Sequence, residues 1–307
     1  MRAFTSAARA LEAGASRGEQ AQGRGDDVTA EVLPLYPTQG AAQPMRGLYL
    51  AHRLHELGST AAPFVYGNFV SSLDGRIAVM DSPGADSDAL DGLTSGNDFR
   101  LFQELHAQAD CLITHGSYLR ALAGGRLGNV LQVNATGQAA DLVEWRQRNG
   151  LPAQPAIAIA SASLDFPLPA SIAEHRQALY VVTGRAADPA RVVALRERGL
   201  QVIIAGDGPM VEGAPLVRAL GELGYKCLYL VAGPNMLESM LRDHELSRLY
   251  LTIRHRLLGG ERFHTLIDGP RIGEPGNLEL RSLYYDSGDG HAVGQWFAQF
   301  DPARRSV

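Results

Sequence analysis

Phe64-Val65-Tyr66-Gly67-Asn68-Phe69-Val70 runs directly into Ser71-Ser72-Leu73-Asp74-Gly75. Aromatic and β-branched residues closed by small polar residues and an Asp-Gly pair spell a buried strand that ends in a turn. The same unit recurs downstream. Cys111-Leu112-Ile113-Thr114 stops at His115-Gly116-Ser117, and Ala156–Ala160 stops at Ser161-Ala162-Ser163. Leu179–Thr183 stops at Gly184-Arg185, and Cys227–Val231 stops at Ala232-Gly233-Pro234-Asn235. Leu200–Ala205 and Leu249–Ile253 are further short apolar strands. Between them lie segments with apolar residues at helical spacing. One is capped by Thr94 or Ser95 and runs to about Gln108; others cover 139–149, the stretch opened by Asp188-Pro189 and closed by Gly199, Ala214–Leu223, and the stretch after Pro234. Such alternation predicts an α/β fold of three layers with a mostly parallel central sheet. Leu278–Asp286 and His291–Phe300, joined by Ser287-Gly288-Asp289-Gly290, predict an antiparallel hairpin at the C-terminal edge.

The chain has 307 residues, of which 45% are hydrophobic and 20% charged, and its formal net charge is -5. That balance argues against a nucleic-acid partner or an acidic membrane surface, because no compensating basic patch is legible. No apolar run approaches the ~20 residues needed to span a bilayer. The 2 cysteines, Cys111 and Cys227, stand far apart in apolar surroundings. They cannot build a disulfide scaffold or a four-cysteine zinc site, no metal site is expected, and a cytoplasmic, reducing setting fits them. Gly-x-Gly-x-x-Gly after the first strand, a Walker loop, His-Glu-x-x-His and Gly-x-Ser-x-Gly are all absent, as is the zinc-deaminase signature.

Residues 1–31 carry few large apolar side chains and predict a disordered or loosely attached segment. Its basic start lacks the continuous apolar stretch of a secretory signal. Residues 32–60 add Val32, Leu33, Leu35, Tyr36, Leu48, Tyr49, Leu50, Leu54 and Leu57, enough for a packed arm but too little for a domain. The expected organisation is an N-terminal arm, 1–60, and a main α/β domain, 61–307.

In an open α/β sheet a ligand gathers beyond the carboxyl ends of the strands, and the strand ends quoted above carry glycine or small hydroxyl residues there. Glycine lets backbone N–H groups reach phosphate oxygens, and a helix N-terminus adds partial positive charge. Gly233-Pro234 is the best such turn, although each could also be only an efficient strand-to-helix connection.

Asn68-Phe69-Val70-Ser71-Ser72-Leu73-Asp74-Gly75-Arg76-Ile77-Ala78 resembles the opening signature of the riboflavin-biosynthesis reductase family, the C-terminal half of the bifunctional pyrimidine deaminase/reductase. Later motifs follow in the same order. They are Leu93-Thr94-Ser95 with Asp98, Ala109 to Ser117, Val231 to Leu237, and Leu249 to Gly260. The resemblance covers about residues 62–300 and implies a dihydrofolate-reductase-like fold, a homodimer, NADPH as cofactor and a small-molecule substrate. Carried over by position, it implies that Ser71, Thr94, Asp98, Thr114, Gly116 and Ser117 lie by the cofactor, and that Gly233, Pro234, Asn235, Met236 and Leu237 wrap its pyrophosphate. Ser161 and Gly184 are further cofactor positions. Arg185 is chosen for the 2′-phosphate, because a guanidinium suits a phosphate dianion, although it could equally be a solvated loop arginine.

The substrate positions depart from the family. Asn68 stands where Lys is usual, His106 where Arg is usual, and Val231 where Glu is usual. With Ser95, Asn68 and Val231 define an altered substrate pocket. The expected activity is therefore hydride transfer from NADPH to a C=N or C=O of a small heterocycle other than the riboflavin precursor. The alternative is a catalytically silent NADP(H)-binding or regulatory protein. Asp74 and His106 are the candidate proton donors; Asp74 could instead fix its turn, and His106, four residues after Phe102, could instead be packed.

Overall fold

The computed structural model describes residues 30–79, 94–288 and 293–303. Of residues 1–31, expected to be disordered or loosely attached, 1–29 lie outside them, as do Leu93 and the tip of the C-terminal hairpin; Ala30 and Glu31 instead pack and pair, Glu31 opening the first strand. Eleven strands form one sheet among the described residues. In chain order these are β1 (Glu31–Tyr36), β2 (Gln43–Pro44), β3 (Phe64–Ser72), β5 (Cys111–His115), β6 (Ala156–Ala160), β7 (Leu179–Thr183), β8 (Gln201–Ile204), β9 (Cys227–Leu230), β10 (Arg248–Arg254), β12 (Leu278–Asp286) and β13 (Gln295–Pro302). A separate ribbon pairs β4 (Ala78–Val79) with β11 (Phe263–His264). The helices are α1 (Gly96–His106), α2 (Gly116–Ala123), α3 (Ala140–Arg148), α4 (Ala170–Glu174), α5 (Pro189–Glu197), α6 (Gly213–Glu222) and α7 (Pro234–Arg242).

The sheet order is β2-β1-β12-β13-β10-β3-β9-β5-β6-β7-β8. From β10 to β8 all neighbours are parallel. β13, β12, β1 and β2 then continue it as an antiparallel edge. This is the expected class, a three-layer α/β fold with an antiparallel hairpin beside a parallel sheet. The alternation of β3 shows how the layers close. Val65 and Phe69 face the helices α6 and α7 with Ile113, Leu216 and Met240, while Tyr66 faces α1 with Leu101, Leu105, Tyr229 and Tyr250.

Ser95, not Thr94, caps α1: its Oγ accepts the Asp98 N–H at 3.1 Å. The helix stops at His106, two residues short of the expected end. The arm joins the sheet, as β1 pairs with β12 and β2 with β1. Two short 3-10 turns, Leu50–His52 and Leu54–Glu56, then carry the chain across the α1 face, where Tyr49 and Leu54 are buried.

Candidate functional site

Beyond the carboxyl ends of β5, β6 and β9 lies a cavity of about 630 Å³, within the range of small-molecule sites. Its floor is the strand-end loops His115–Ser117, Ala160–Ser163 and Ala232–Met236. Met210–Glu212 wall one side, and Glu238, Ser239 and Arg242 of α7 with His264 and Asp268–Pro270 wall another.

Two helices start at this floor and are capped differently. His115 caps α2: its Nδ1 accepts the Tyr118 N–H at 3.3 Å and lies 2.5 Å from Ser117 Oγ. An Nδ1 that accepts a backbone N–H cannot carry a proton, so the ring is neutral, and burial pushes its pKa down to about 4. α7 starts at Gly233-Pro234, and no side chain caps its first turn. Its N-terminal partial charge is therefore presented to the cavity without a side-chain cap. At Gly116 a Cβ would sit 2.9 Å from Phe166 and 3.0 Å from Ser161 Oγ, so glycine is required by the close approach of the β5 and β6 loops. Arg120 reaches the cavity from α2 and is steadied by donating to Asp165 O at 2.5 Å.

The cavity gathers Gly116, Ser117, Ser161, Gly233, Pro234, Asn235 and Met236 of the residues singled out from the sequence. Others stand elsewhere. Leu237 is buried in the core with Met240 and Leu216, because it lies on the face of α7 turned to the sheet. Thr114 is buried too, its Oγ1 without a hydrogen-bond partner among the described residues. Gly184 is where the β7 end packs against the 206–210 loop. A Cβ there would run into the carbonyl oxygens of Gly208 and Met210, the latter at 2.7 Å, so protein rather than cofactor requires the glycine. Arg185 does not line the cavity; its exposed side chain pairs with Asp207 at 3.4 Å.

Neither expected proton donor lines the cavity. Asp74 accepts from Ser72 Oγ and pairs with Arg76, and its two oxygens accept the N–H groups of Leu258, at 3.2 Å, and Gly259, at 3.0 Å. Its carboxylate stitches the Leu73–Arg76 turn to the Leu257–Gly260 turn. His106 is only 2% exposed, at the end of α1 near the amino ends of the strands, and burial with the nearby Arg146 holds its pKa down at about 3. A proton donor at the carboxyl ends cannot sit there.

Asn68, Asp98 and Ser95 belong to the other face. Asp98 Oδ1 accepts from Thr252 Oγ1 at 2.6 Å. Gln295 Nε2 donates to Ser95 Oγ at 2.8 Å and to Asp286 Oδ2 at 2.7 Å, and Asn97 Nδ2 donates to Asp286 at 2.9 Å. This buried network locks the start of α1 to β10, β12 and β13. Ser71 is buried in the β3–β10 ladder, Thr94 lies just before α1, and Val231 packs between the cores on that side. The cavity residues that sequence reasoning missed are Arg120, Glu238, Arg242, His264 and Asp268. Arg120, Glu238 and Arg242 lie inside helices, and His264 and Asp268 in a segment that follows no apolar strand run, so nothing in their spacing directs them to the strand ends.

Several known proteins resemble this chain in fold or in sequence. A pyrimidine reductase-like protein from Corynebacterium diphtheriae superposes with a TM-score of 0.58 at 18% identity, covering 79% of this chain and 93% of that one. Acinetobacter baumannii RibD gives 0.56 at 18% identity, with 80% of this chain and 59% of that one covered. In sequence, the chain is 23% identical over 209 residues to the 2,5-diamino-6-ribosylamino-4(3H)-pyrimidinone 5′-phosphate reductase of Archaeoglobus fulgidus, spanning 67% of this chain and 87% of that protein. The profile of the RibD C-terminal domain matches residues 63–291, from the strand that opens the parallel sheet to just before β13, and the chain belongs to that family.

Proposed function

We propose that the protein is a reductase that takes NADPH in the cavity and reduces a C=N or C=O of a small heterocycle, chemically akin to the pyrimidinone in the name of the Archaeoglobus relative. The observation that carries this reading is the uncapped α7 N-terminus opening on a cavity lined by serine hydroxyls, Asn235 and two arginines, Arg120 and the Glu238-paired Arg242. That donor set suits a dinucleotide. The first turn after Gly233 and the N–H groups of Gly116 and Ser117 would hold the pyrophosphate. Ser161, Ser163 and Arg120 would meet the adenosine end, with Arg120 taking the place foreseen for Arg185. When bound, the coenzyme supplies the hydride. The protein would bind and orient it between the walls formed by Met210–Glu212 on one side and by His264 with Asp268–Pro270 on another. A homodimer is part of the proposal, tested by sedimentation of the purified chain.

The silent-binder reading is favoured by one observation, that neither Asp74 nor His106 is available to pass a proton. Calorimetric titration with NADPH and NADH, followed by NADPH oxidation on the pyrimidinone and a panel of cyclic imines and ketones, separates the two. Binding with turnover on one compound is the expected result. Binding with none supports the silent reading, and no heat with either coenzyme removes both.

A further inference from the structure

We infer that one face of the antiparallel edge, built by β1, β12 and β13, is where a second copy of this chain docks, face to face about a two-fold axis. This docking rests on the homodimer named above and is independent of coenzyme and substrate. Strand register places the residues concerned. Tyr36 stands opposite Leu283, Leu33 opposite Tyr285, and Tyr285 opposite Trp296, while Phe300 stands opposite Leu249 of β10. Directly opposed residues share a face, so Leu33, Tyr36, Leu283, Tyr285, Trp296 and Phe300 make one apolar surface. It continues the side on which Leu249 and Leu251 are buried under α6 and α7.

The helical cover stops at β10. Phe300 still packs partly against that core, beside Ile267 and Ile272. Farther out, Tyr36 is 43% exposed, and Leu33, Leu283, Tyr285 and Trp296 are only half-buried. The described helices bury their apolar side chains in other clusters: α6 and α7 in the main core, α2, α4 and α5 beside β6 to β8, α3 with Ala107 and Val133, and α1 on the opposite face of the sheet. That opposite face is complete, with Val32, Tyr250 and Phe297 buried beneath Tyr49, Leu54 and Leu101. An antiparallel sheet covered on one face ordinarily turns polar residues to water on the other. These strands are apolar on both.

Three observations select a second copy as the occupant. The six side chains carry no charge with which to choose a partner of opposite sign, and two-fold pairing needs only a surface that matches itself. Strands spaced about 4.8 Å apart, with about eight residues rising ~3.4 Å each, give β1, β12, β13 and the rim of β10 a face of roughly 500 Å² before side-chain relief; two copies cover about 1,000 Å², the size at which specific interfaces begin. The stretches outside the described residues are poor covers. Residues 1–29 hold Met1, Phe4, Leu11 and Val28 as their large apolar side chains, and residues 80–93 carry Asp81, Asp86, Asp88 and Asp91. Tyr285 and Trp296 also brace His255 between them, with ring centroids 5.7 Å and 4.4 Å away, and so form the fixed aromatic anchor on which an interface centres.

The chain has two tryptophans, Trp145 and Trp296, and Trp145 packs on His55 in another part of the molecule. In Trp145→Phe, therefore, Trp296 alone reports on the face. That protein should sediment as a dimer, with Trp296 shielded from quenching by iodide. Adding Tyr36→Arg or Leu283→Arg should keep a cooperative melt, weaken the dimer about 100-fold or more, and open Trp296 to the quencher, since each change enters a two-fold interface twice. Val193→Arg, at a 51% exposed position on α5, should leave both readouts unchanged. A dimer whose Trp296 is freely quenched, or one that withstands both arginines, overturns this face and leaves a homodimer of other geometry. A monomer at every concentration overturns the face and the homodimer together, while the coenzyme reading stands or falls on its own titration. Trp296 shielded in a monomer until residues 1–29 are removed would make the chain's own segment the occupant and overturn the docking of a second copy.

Discussion

Asp98 is a carboxyl in the first turn of α1, and burial, opposed by the Thr252 hydrogen bond and the charge of Arg254, pushes its pKa up to about 6 from an ordinary value of 3.8. Between those two values the native state keeps a proton that the unfolded chain has released. Stability therefore falls as pH rises through the window, by about 3 kcal/mol in all. Asp98→Asn keeps an acceptor for Thr252 and removes the titration. It should melt close to wild type at pH 4 and well above it at pH 8. A melting difference that does not change with pH would refute this. His52 and His115, held near 4, and His106, held near 3, act in the opposite sense, losing stability as pH falls below about 6.5, so only the difference between variant and wild type isolates Asp98. Two arginines provide a second contrast. If Arg120 meets the adenosine 2′-phosphate, Arg120→Ala weakens NADPH binding about tenfold or more and NADH binding little, since a charge-assisted hydrogen bond contributes about 1.5–3 kcal/mol. Arg185→Ala leaves both unchanged. Calorimetry with both coenzymes decides it, and the reverse pattern would return Arg185 to the site.

At the scale of elements, strand-to-helix turns were readable wherever glycine or a small hydroxyl residue followed an apolar run. That is why Gly116, Ser161 and Gly233 were found: each marks a place where backbone must come close or a helix must start, and these needs are written in residue type. Gly184 shows the limit of the same logic. The glycine signal was real, but what approaches it is the Gly208–Met210 backbone, and sequence does not say whether protein or ligand fills the space. Gly184→Ala should accordingly lower the melting temperature by several degrees while NADPH affinity in the folded protein stays within about twofold. A variant that is fully stable yet weakened toward the coenzyme would make the glycine a cofactor contact after all. His264 and Asp268 were illegible for a different reason. Their loop joins the cavity only because β11 pairs with β4 and Gly269 packs on α7, both contacts between residues distant in the chain. For His106 the same ignorance of direction left a proton donor and a packed side chain both open; the folded sheet shows the packed one, with α1 carrying it to the amino ends.

For the molecule as a whole, the boundary drawn near residue 60 can be tested against the way the arm is held. Glu104 of α1 accepts the N–H groups of Gly47, at 2.6 Å, and Tyr49, at 3.0 Å, and Gln108 both accepts from Leu54 N and donates to Tyr49 O. Val32, Met45, Leu48, Tyr49 and Leu54 are buried in the core that holds Tyr66, Tyr229, Tyr250 and Phe297. At about 1.5–3 kcal/mol for each large apolar side chain, their removal would cost roughly 8–15 kcal/mol, comparable with the entire stability of a typical domain. It would also leave Glu104 and Gln108 without their arm partners and uncover β12, whose Tyr284 and Tyr285 pair with Pro34 and Leu33. A chain beginning at residue 61, although it keeps all of the family's matched span, should therefore aggregate or lose its cooperative melt. Removing residues 1–29, whose composition offers few large apolar side chains, should leave the melt within a few degrees of the full chain. Were the 61–307 fragment to melt cooperatively near the full chain and still bind NADPH, the arm would be an attachment to the domain; the buried contacts argue that it is one of its walls.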